Sequence, residues 1–177
     1  ALYSTTGGAV QVLALNTLGV LNLVSDGTCA AASFDDLKGQ TVYAPAQNPS
    51  FIFQYLCEKN GLKPGEDIII DTTYAQPADL NAAVSSGEFS LAVLPEPMVT
   101  IALSANDKLA VALDLTKEWD AVSPAGSLVQ GCIVVRTEFA ARRNVKGNIN
   151  FAFFMRSKRY FNFFCVYGFA VFFKRNG

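Results

Sequence analysis

The stretch Thr41-Val42-Tyr43-Ala44-Pro45, followed by Asp67-Ile68-Ile69-Ile70-Asp71-Thr72-Thr73 and then Phe89-Ser90-Leu91-Ala92-Val93-Leu94, reads as three short strands, and what separates them decides the fold. Between the first two, Asn48 is a good helix N-cap and Pro49 suits the first helical position. Ile52, Tyr55 and Leu56 then share one face at i, i+3 and i+4, and Asn60-Gly61 stops the helix. Between the second and third, Pro77 opens a helix, Leu80 and Val84 sit four apart, and Gly87 closes it. The three consecutive isoleucines predict a strand buried on both faces. Crossovers of this length require parallel strands with helices packed on them, so this is an α/β domain. The third strand ends on Leu94-Pro95-Glu96-Pro97, a carboxylate between two prolines where strand hands over to helix. In open α/β sheets ligands gather at the carboxyl ends of strands, which makes this a natural site position.

Working outward, residues 10–24 form two apolar runs broken by Asn16 and Thr17, which fits two buried strands or one long bent strand. Ser25–Ser33 is a loop of small residues, and Phe34–Gly39 forms a short helical turn closed by glycine. On the far side come a helix from Pro97 to about Ser104, a strand at Leu109–Leu115, a polar stretch around Trp119 and a strand at Ser127–Arg136. No internal repeat is visible.

Hydrophobic residues make up 51% of the 177, enough for one ordinary domain or two small lobes with a real core. The net charge of −1 hides an asymmetry. All 15 acids lie at or before Glu138 with 6 of the 14 basic residues, a net of −9, while the other 8 basic residues follow with no acid. There is no histidine, which removes His-based acid–base chemistry, the Ser-His-Asp and Cys-His systems and the commonest metal ligand. Cys29, Cys57, Cys132 and Cys165 form no Cys-x-x-Cys pair, so neither a zinc site nor a thioredoxin-like motif is indicated, and buried free thiols are expected. No metal or cofactor is expected.

The final segment differs in kind. Nine of the 14 phenylalanines fall between Phe151 and Phe173, interleaved with Arg156, Lys158 and Arg159, and no period of 2 or 3.6 is kept. Tyr160–Phe173 is apolar but too short for the roughly 20 residues of a spanning helix. A basic aromatic tail also fits single-stranded nucleic acid, but nothing in the first 138 residues supports such a partner, and none is expected. Residues 141–177 are therefore read as an aberrant Phe/Arg-rich tail, disordered or translated out of frame.

Five pieces in order carry a resemblance. They are Leu13-Ala14-Leu15-Asn16-Thr17-Leu18-Gly19-Val20-Leu21, Asp35-Asp36-Leu37-Lys38-Gly39-Gln40-Thr41-Val42-Tyr43, Tyr55-Leu56-Cys57-Glu58-Lys59-Asn60-Gly61-Leu62, Leu94-Pro95-Glu96-Pro97 and Gln130-Gly131-Cys132-Ile133-Val134-Val135. Over about residues 1–140 the chain resembles the substrate-binding proteins of ABC importers, in the nitrate/sulfonate/taurine/thiamine-precursor group of the type II periplasmic-binding fold. The resemblance implies one nearly complete parallel or mixed-sheet lobe plus fragments of a second, in a chain incomplete at both ends. Residues 1–24 would be a lobe I fragment and hinge crossing, 25–126 the lobe II α/β domain, and 127–140 the return crossing.

The resemblance further implies a ligand clamped between lobes that close about a hinge. The loop Ala44-Pro45-Ala46-Gln47-Asn48 delivers a strand end to a helix start, where free N–H groups favour a carboxylate, sulfonate or phosphate. Ala46, Gln47 and Asn48 are candidate contacts there, with Asn48 equally readable as a cap alone. Glu96 either accepts hydrogen bonds from a ligand or caps the helix starting at Pro97, and the two roles are compatible. Asn16 and Thr17, and later Gln130 and Gly131, interrupt apolar runs where buried polar groups need partners. Thr5 and Thr6 would face the cleft by resemblance. A lone carboxylate without an acid–base partner does not make an enzyme, so no catalytic residue is expected.

The expected role is a non-catalytic, monomeric solute receptor: an extracytoplasmic ABC importer component, periplasmic or a cell-surface lipoprotein, that passes a small anionic or heterocyclic solute to permease subunits. The alternatives are an enzyme on the same fold, of the thiamine-pyrimidine synthesis type, and a ligand-sensing regulatory domain.

Overall fold

The computed structural model describes residues 2–142, 162–166 and 169–173. The chain divides into two compact units: residues 1–18 with 129–177, and residues 19–128.

In the first unit α1 (Leu2–Thr5) precedes β1 (Val10–Leu18). The chain enters the second unit at Gly19 and forms β2 (Leu21–Ser25), β3 (Thr41–Tyr43), α2 (Asn48–Lys59), β4 (Ile69–Asp71), α3 (Pro77–Ser86), β5 (Leu91–Pro95), α4 (Met98–Ala105), β6 (Ala110–Asp114) and α5 (Leu115–Val122). It returns to the first unit as β7 (Val129–Arg136) and α6 (Thr137–Arg142), followed by β8 (Asn162–Val166) and β9 (Phe169–Phe173).

The second unit is a five-stranded sheet ordered β4-β3-β5-β2-β6. β3 is parallel to β4 and β5, whereas β2 is antiparallel to both of its neighbours, β5 and β6. The expected parallel crossovers are present, and β2 makes the sheet mixed. Side chains alternate across it with period 2. Leu21 and Leu23 of β2 with Leu91 and Val93 of β5 join Val42, Phe53, Leu56 and Leu115 in one core. Val24 of β2 with Ala92 and Leu94 of β5 join Leu80, Val84, Val99 and Ala102 in the other. Helices α2 and α5 thus cover one face and α3 and α4 the other. Each fully buried Leu or Phe contributes about 1.5–3 kcal/mol of hydrophobic stabilisation.

Helix α3 begins at Pro77 and ends on Gly87 in the left-handed conformation, as its sequence implies. Three expectations are corrected. The isoleucine strand is not buried on both faces: β4 lies at the sheet edge, and Ile69 is 56% exposed. The polar stretch around Trp119 is helix α5, capped by Asp114, whose carboxylate accepts from the Thr116 and Lys117 N–H groups. The cap of α2 is Gln47, one residue before the expected Asn48, which becomes the first helical residue.

In the first unit β1 pairs antiparallel with β7, with register shifts at Val12/Ala14, Leu15/Thr17 and Thr17/Leu18. Asn16 falls in one of these irregularities and is exposed, so it is not the buried polar interruption its sequence suggested. The 10–24 segment is two strands, split at Gly19-Val20. β9 runs parallel to β7 and antiparallel to β8. Most of the tail, residues 143–161, 167–168 and 174–177, lies outside the described residues. No helix among the described residues is long and apolar enough to cross a membrane.

Candidate ligand-binding site

β3, β4 and β5 release their chains at one edge of the second unit's sheet, and two of the loops leaving them are bonded together. The Ala44 N–H donates to the Asp71 carbonyl at 2.9 Å, and the Ala46 N–H to the Ala75 carbonyl at 3.1 Å. The loop into α2 is therefore fixed against the loop leaving β4. The latter is stiffened in turn: the Thr73 N–H donates to Asp71 Oδ1 at 2.7 Å, and Thr73's hydrogen bonds hold the Asp71 carboxyl below its ordinary value. Tyr74 donates to Glu88 Oε2 at 2.5 Å, which raises its phenol pKa, and its ring lies 5.5 Å from Phe89, itself stacked 3.9 Å from Tyr43.

Gln47 stands at the turn with φ 70° and ψ −129°, the one described non-glycine residue in the positive-φ region. Such a conformation costs of order 1–3 kcal/mol and persists where its surroundings impose it. Its carbonyl accepts from the Phe51 N–H at 3.0 Å and from the buried Ser50 hydroxyl at 2.9 Å. No side chain caps the start of α2, so the first-turn N–H groups have no side-chain acceptor in the cap position.

Beside this turn lies an open groove of about 570 Å³ lined by Ala46, Gln47, Ser50, Phe51, Gln54, Pro64, Gly65, Ile69, Ile70 and Thr72. None of these carries a charge. Phe51, 65% exposed, and Ile69 supply apolar surface, and Gln47, Gln54 and Thr72 supply neutral hydrogen-bonding groups. The groove can hold a small molecule with one polar end at the α2 start and an apolar body. Among the described residues no cluster of His, Cys, Asp and Glu can hold a metal ion.

The expected site residues divide accordingly. Ala46 and Gln47 line the groove, while Asn48 beside them does not. Glu96 follows β5 but is also absent from the groove, and its carboxylate is taken by its own helix: Oε2 accepts from the Thr100 hydroxyl at 2.9 Å and from the Thr100 N–H at 3.3 Å. In the first unit Thr17 pairs with Gly131, which brings Asn16, Thr17, Gln130 and Gly131 together on the β1–β7 ribbon. Gln130 Oε1 is buried without a hydrogen-bond partner. Thr6 donates to the Leu2 carbonyl at 2.9 Å, and Thr5 is exposed on α1. Ser50, Phe51, Gln54 and Thr72 were not expected. The first three stand at i+3, i+4 and i+7 from Gln47, a helical face that the sequence does carry.

The wider comparisons bear on the fold. No family model matches the sequence, and no curated protein matches it. Solved structures do. An ABC transporter protein from Parabacteroides distasonis aligns with TM-score 0.61 and 19% identity over 80% of this chain and 46% of its own. The periplasmic aliphatic sulphonate binding protein SsuA from Escherichia coli aligns with TM-score 0.58 and 19% identity, over 80% and 45%. The periplasmic sulfonate-binding protein SsuA from Methylobacillus flagellatus aligns with TM-score 0.56 and 21% identity, over 78% and 40%. The fold is that of the ABC transporter substrate-binding proteins. The chain spans less than half the length of these structures. In this sheet β2 is the antiparallel strand, and the α2 groove reaches the edge where β3 and β4 end, at Ala46, Gln47 and Thr72, and extends back along β4 to Pro64 and Gly65.

Proposed function

We propose that the protein is the solute-binding component of an ABC-type importer, working outside the cytoplasm and passing a small molecule to membrane permease subunits. The observation that carries this is the uncharged groove at the uncapped start of α2, on the carboxyl edge of a periplasmic-binding sheet. An anionic or strongly accepting end of the ligand meets the first-turn N–H groups and the positive end of the helix dipole. Gln47 and Thr72 add neutral hydrogen bonds, and the ligand body lies against Phe51 and Ile69. Glu96 serves as a helix cap here rather than as a ligand contact. The solved structures of like fold that are named for sulphonate binding support a sulfonate or a related oxyanion as the class.

The test is thermal unfolding of the full chain with a panel of short alkanesulfonates, carboxylates, inorganic oxyanions and aminopyrimidines. A bound ligand at 100 times its Kd stabilises by about 2.7 kcal/mol. Thr72→Val weakens the same ligand several-fold. A panel in which no compound raises the melting temperature overturns the proposal.

A further inference from the structure

The chain passes between its two units twice, at Leu18–Gly19 and at Leu128–Val129, and on the second unit's side helix α5 touches both passages, while the Val20 carbonyl of the first also accepts from the Glu96 N–H at 2.8 Å. The passages are tied to each other first: the Gly19 N–H donates to the Leu128 carbonyl at 3.0 Å. Gly19 is then pressed against α5. A Cβ at that position would lie 2.0 Å from Thr116 Oγ1, 2.5 Å from its Cγ2 and 2.8 Å from its Cβ, so there is no room for any side chain. The second passage is held by the next turn of the same helix. Trp119 Nε1 donates to Ser127 Oγ at 2.8 Å, and the Gly126 N–H donates to Asp120 Oδ1 at 2.9 Å.

Helix α5 is in turn joined to α2. The Tyr55 ring lies 4.9 Å from that of Trp119, and the Tyr55 hydroxyl is 3.1 Å from the Ser123 hydroxyl, just past the end of α5. Leu115 anchors the start of α5 in the core with full burial, and Asp114 caps it. The result is one chain of contacts: α2, α5, then both passages. Tyr55 stands about two turns along the same helix from Gln47.

We propose that α5 is a clamp that fixes both passages at once and makes their freedom depend on α2. One stiff helix holding both strands allows them to loosen only together. An independent attachment of each passage would let either open alone. Its meaning for ligand capture rests on the function proposed above, since the groove lies at the start of α2, but the clamp itself holds whether or not a ligand is found.

Native-state amide hydrogen exchange on the full chain without ligand tests it, because the Gly19 amide reports directly on the bond between the passages. The double variant Tyr55→Phe/Trp119→Phe keeps an aromatic ring at each position, a smaller one at 119, and removes both polar ties. It is expected to speed Gly19 exchange at least tenfold, while Val93 and Leu94 in the central strand β5 change by less than twofold. Ser127→Ala, a gentler change that only removes the indole's acceptor, is expected to speed Gly19 exchange at least threefold. Unchanged Gly19 protection in both variants overturns the clamp. So does an equal acceleration at Gly19 and in β5, which would mark a general loss of stability instead.

Discussion

Thr100 donates both its backbone N–H and its hydroxyl to the carboxylate of Glu96, four residues earlier. The helix between them starts at Met98, so Glu96 caps from one position further out than the usual cap residue. The carboxylate is exposed, yet its role is to close the start of α4. Replacing a capping side chain by alanine costs about 0.5–2 kcal/mol. Glu96→Ala is therefore expected to lower stability by about 1 kcal/mol in urea unfolding, and Thr100→Val to lose a similar amount. In the double variant the total loss should fall short of the sum of the two, because both remove the hydroxyl–carboxylate bond, while Thr100→Val alone keeps the N–H bond to Glu96. Additive losses would separate Glu96 from Thr100 and return the carboxylate to the candidate site.

Gly19→Ala places a methyl group where the Thr116 hydroxyl already stands, and it does so at φ 64°, where alanine is strained. Overpacking costs about 1–3 kcal/mol and an imposed left-handed conformation a similar amount. A loss of at least about 2 kcal/mol in denaturant unfolding is expected. Combining it with Thr116→Gly should recover the steric part and leave the conformational part. A Gly19→Ala protein as stable as the wild type would show that the space beside Thr116 is not closed.

How far the sequence carries depends on whether a feature is local. Pro77 and Gly87 bound α3 because a fixed φ at the start and a left-handed residue at the end are properties of those residues alone. The strand Leu91–Pro95 is equally legible, since four consecutive buried positions need a continuous apolar run. Ile68-Ile69-Ile70 looks the same in sequence but lies at the edge, because strand order is set by crossovers and not by any single strand. Helix α5 is hard to read in sequence because it is short and half polar, although Asp114 ahead of Thr116 and Lys117 is a capping signal. Half the groove is legible as a helical face at Gln47, Ser50, Phe51 and Gln54. Pro64, Gly65, Ile69 and Thr72 arrive from a separate stretch of chain, and only the folded sheet brings them there.

Cys57, on the core-facing side of α2, is fully buried, and burial, with the Glu58 charge beside it, pushes its thiol up from 9.0 to about 12. In the unfolded chain this thiol ionises near its ordinary value, whereas the folded protein holds the proton until about pH 12. The unfolded state therefore binds fewer protons across that interval. The stability linked to Cys57 is fully present below about pH 9 and is lost as pH rises toward 12, by up to ~4 kcal/mol over the interval. Cys57→Ala is expected to be less stable than wild type at pH 7 by about 1 kcal/mol and to lose less on going to pH 10. Urea unfolding at pH 7, 9 and 10 checks this, and parallel pH profiles for the two proteins would remove Cys57 as the cause.

Gln47 holds a backbone conformation that glycine adopts freely, at the point where the candidate groove meets α2. Removing a strain of order 1–3 kcal/mol, less the roughly 0.5–1 kcal/mol that glycine costs through the unfolded chain, leaves a net gain of about 1 kcal/mol for Gln47→Gly. Its melting temperature is expected to rise by a few degrees. Gln47→Ala keeps the strained backbone and loses the amide, so it should show no gain. Both variants remove the amide from the groove, and a lost neutral hydrogen bond is worth about 1 kcal/mol, so both should bind a ligand identified by thermal shift about fivefold more weakly. Stability and affinity then move in opposite directions for glycine and separate for alanine. This is the pattern of a residue whose strain is kept for binding. If Gln47→Gly gained stability and kept full affinity, the strained turn would belong to the fold alone, and binding would rest on the N–H groups of α2 and on Thr72.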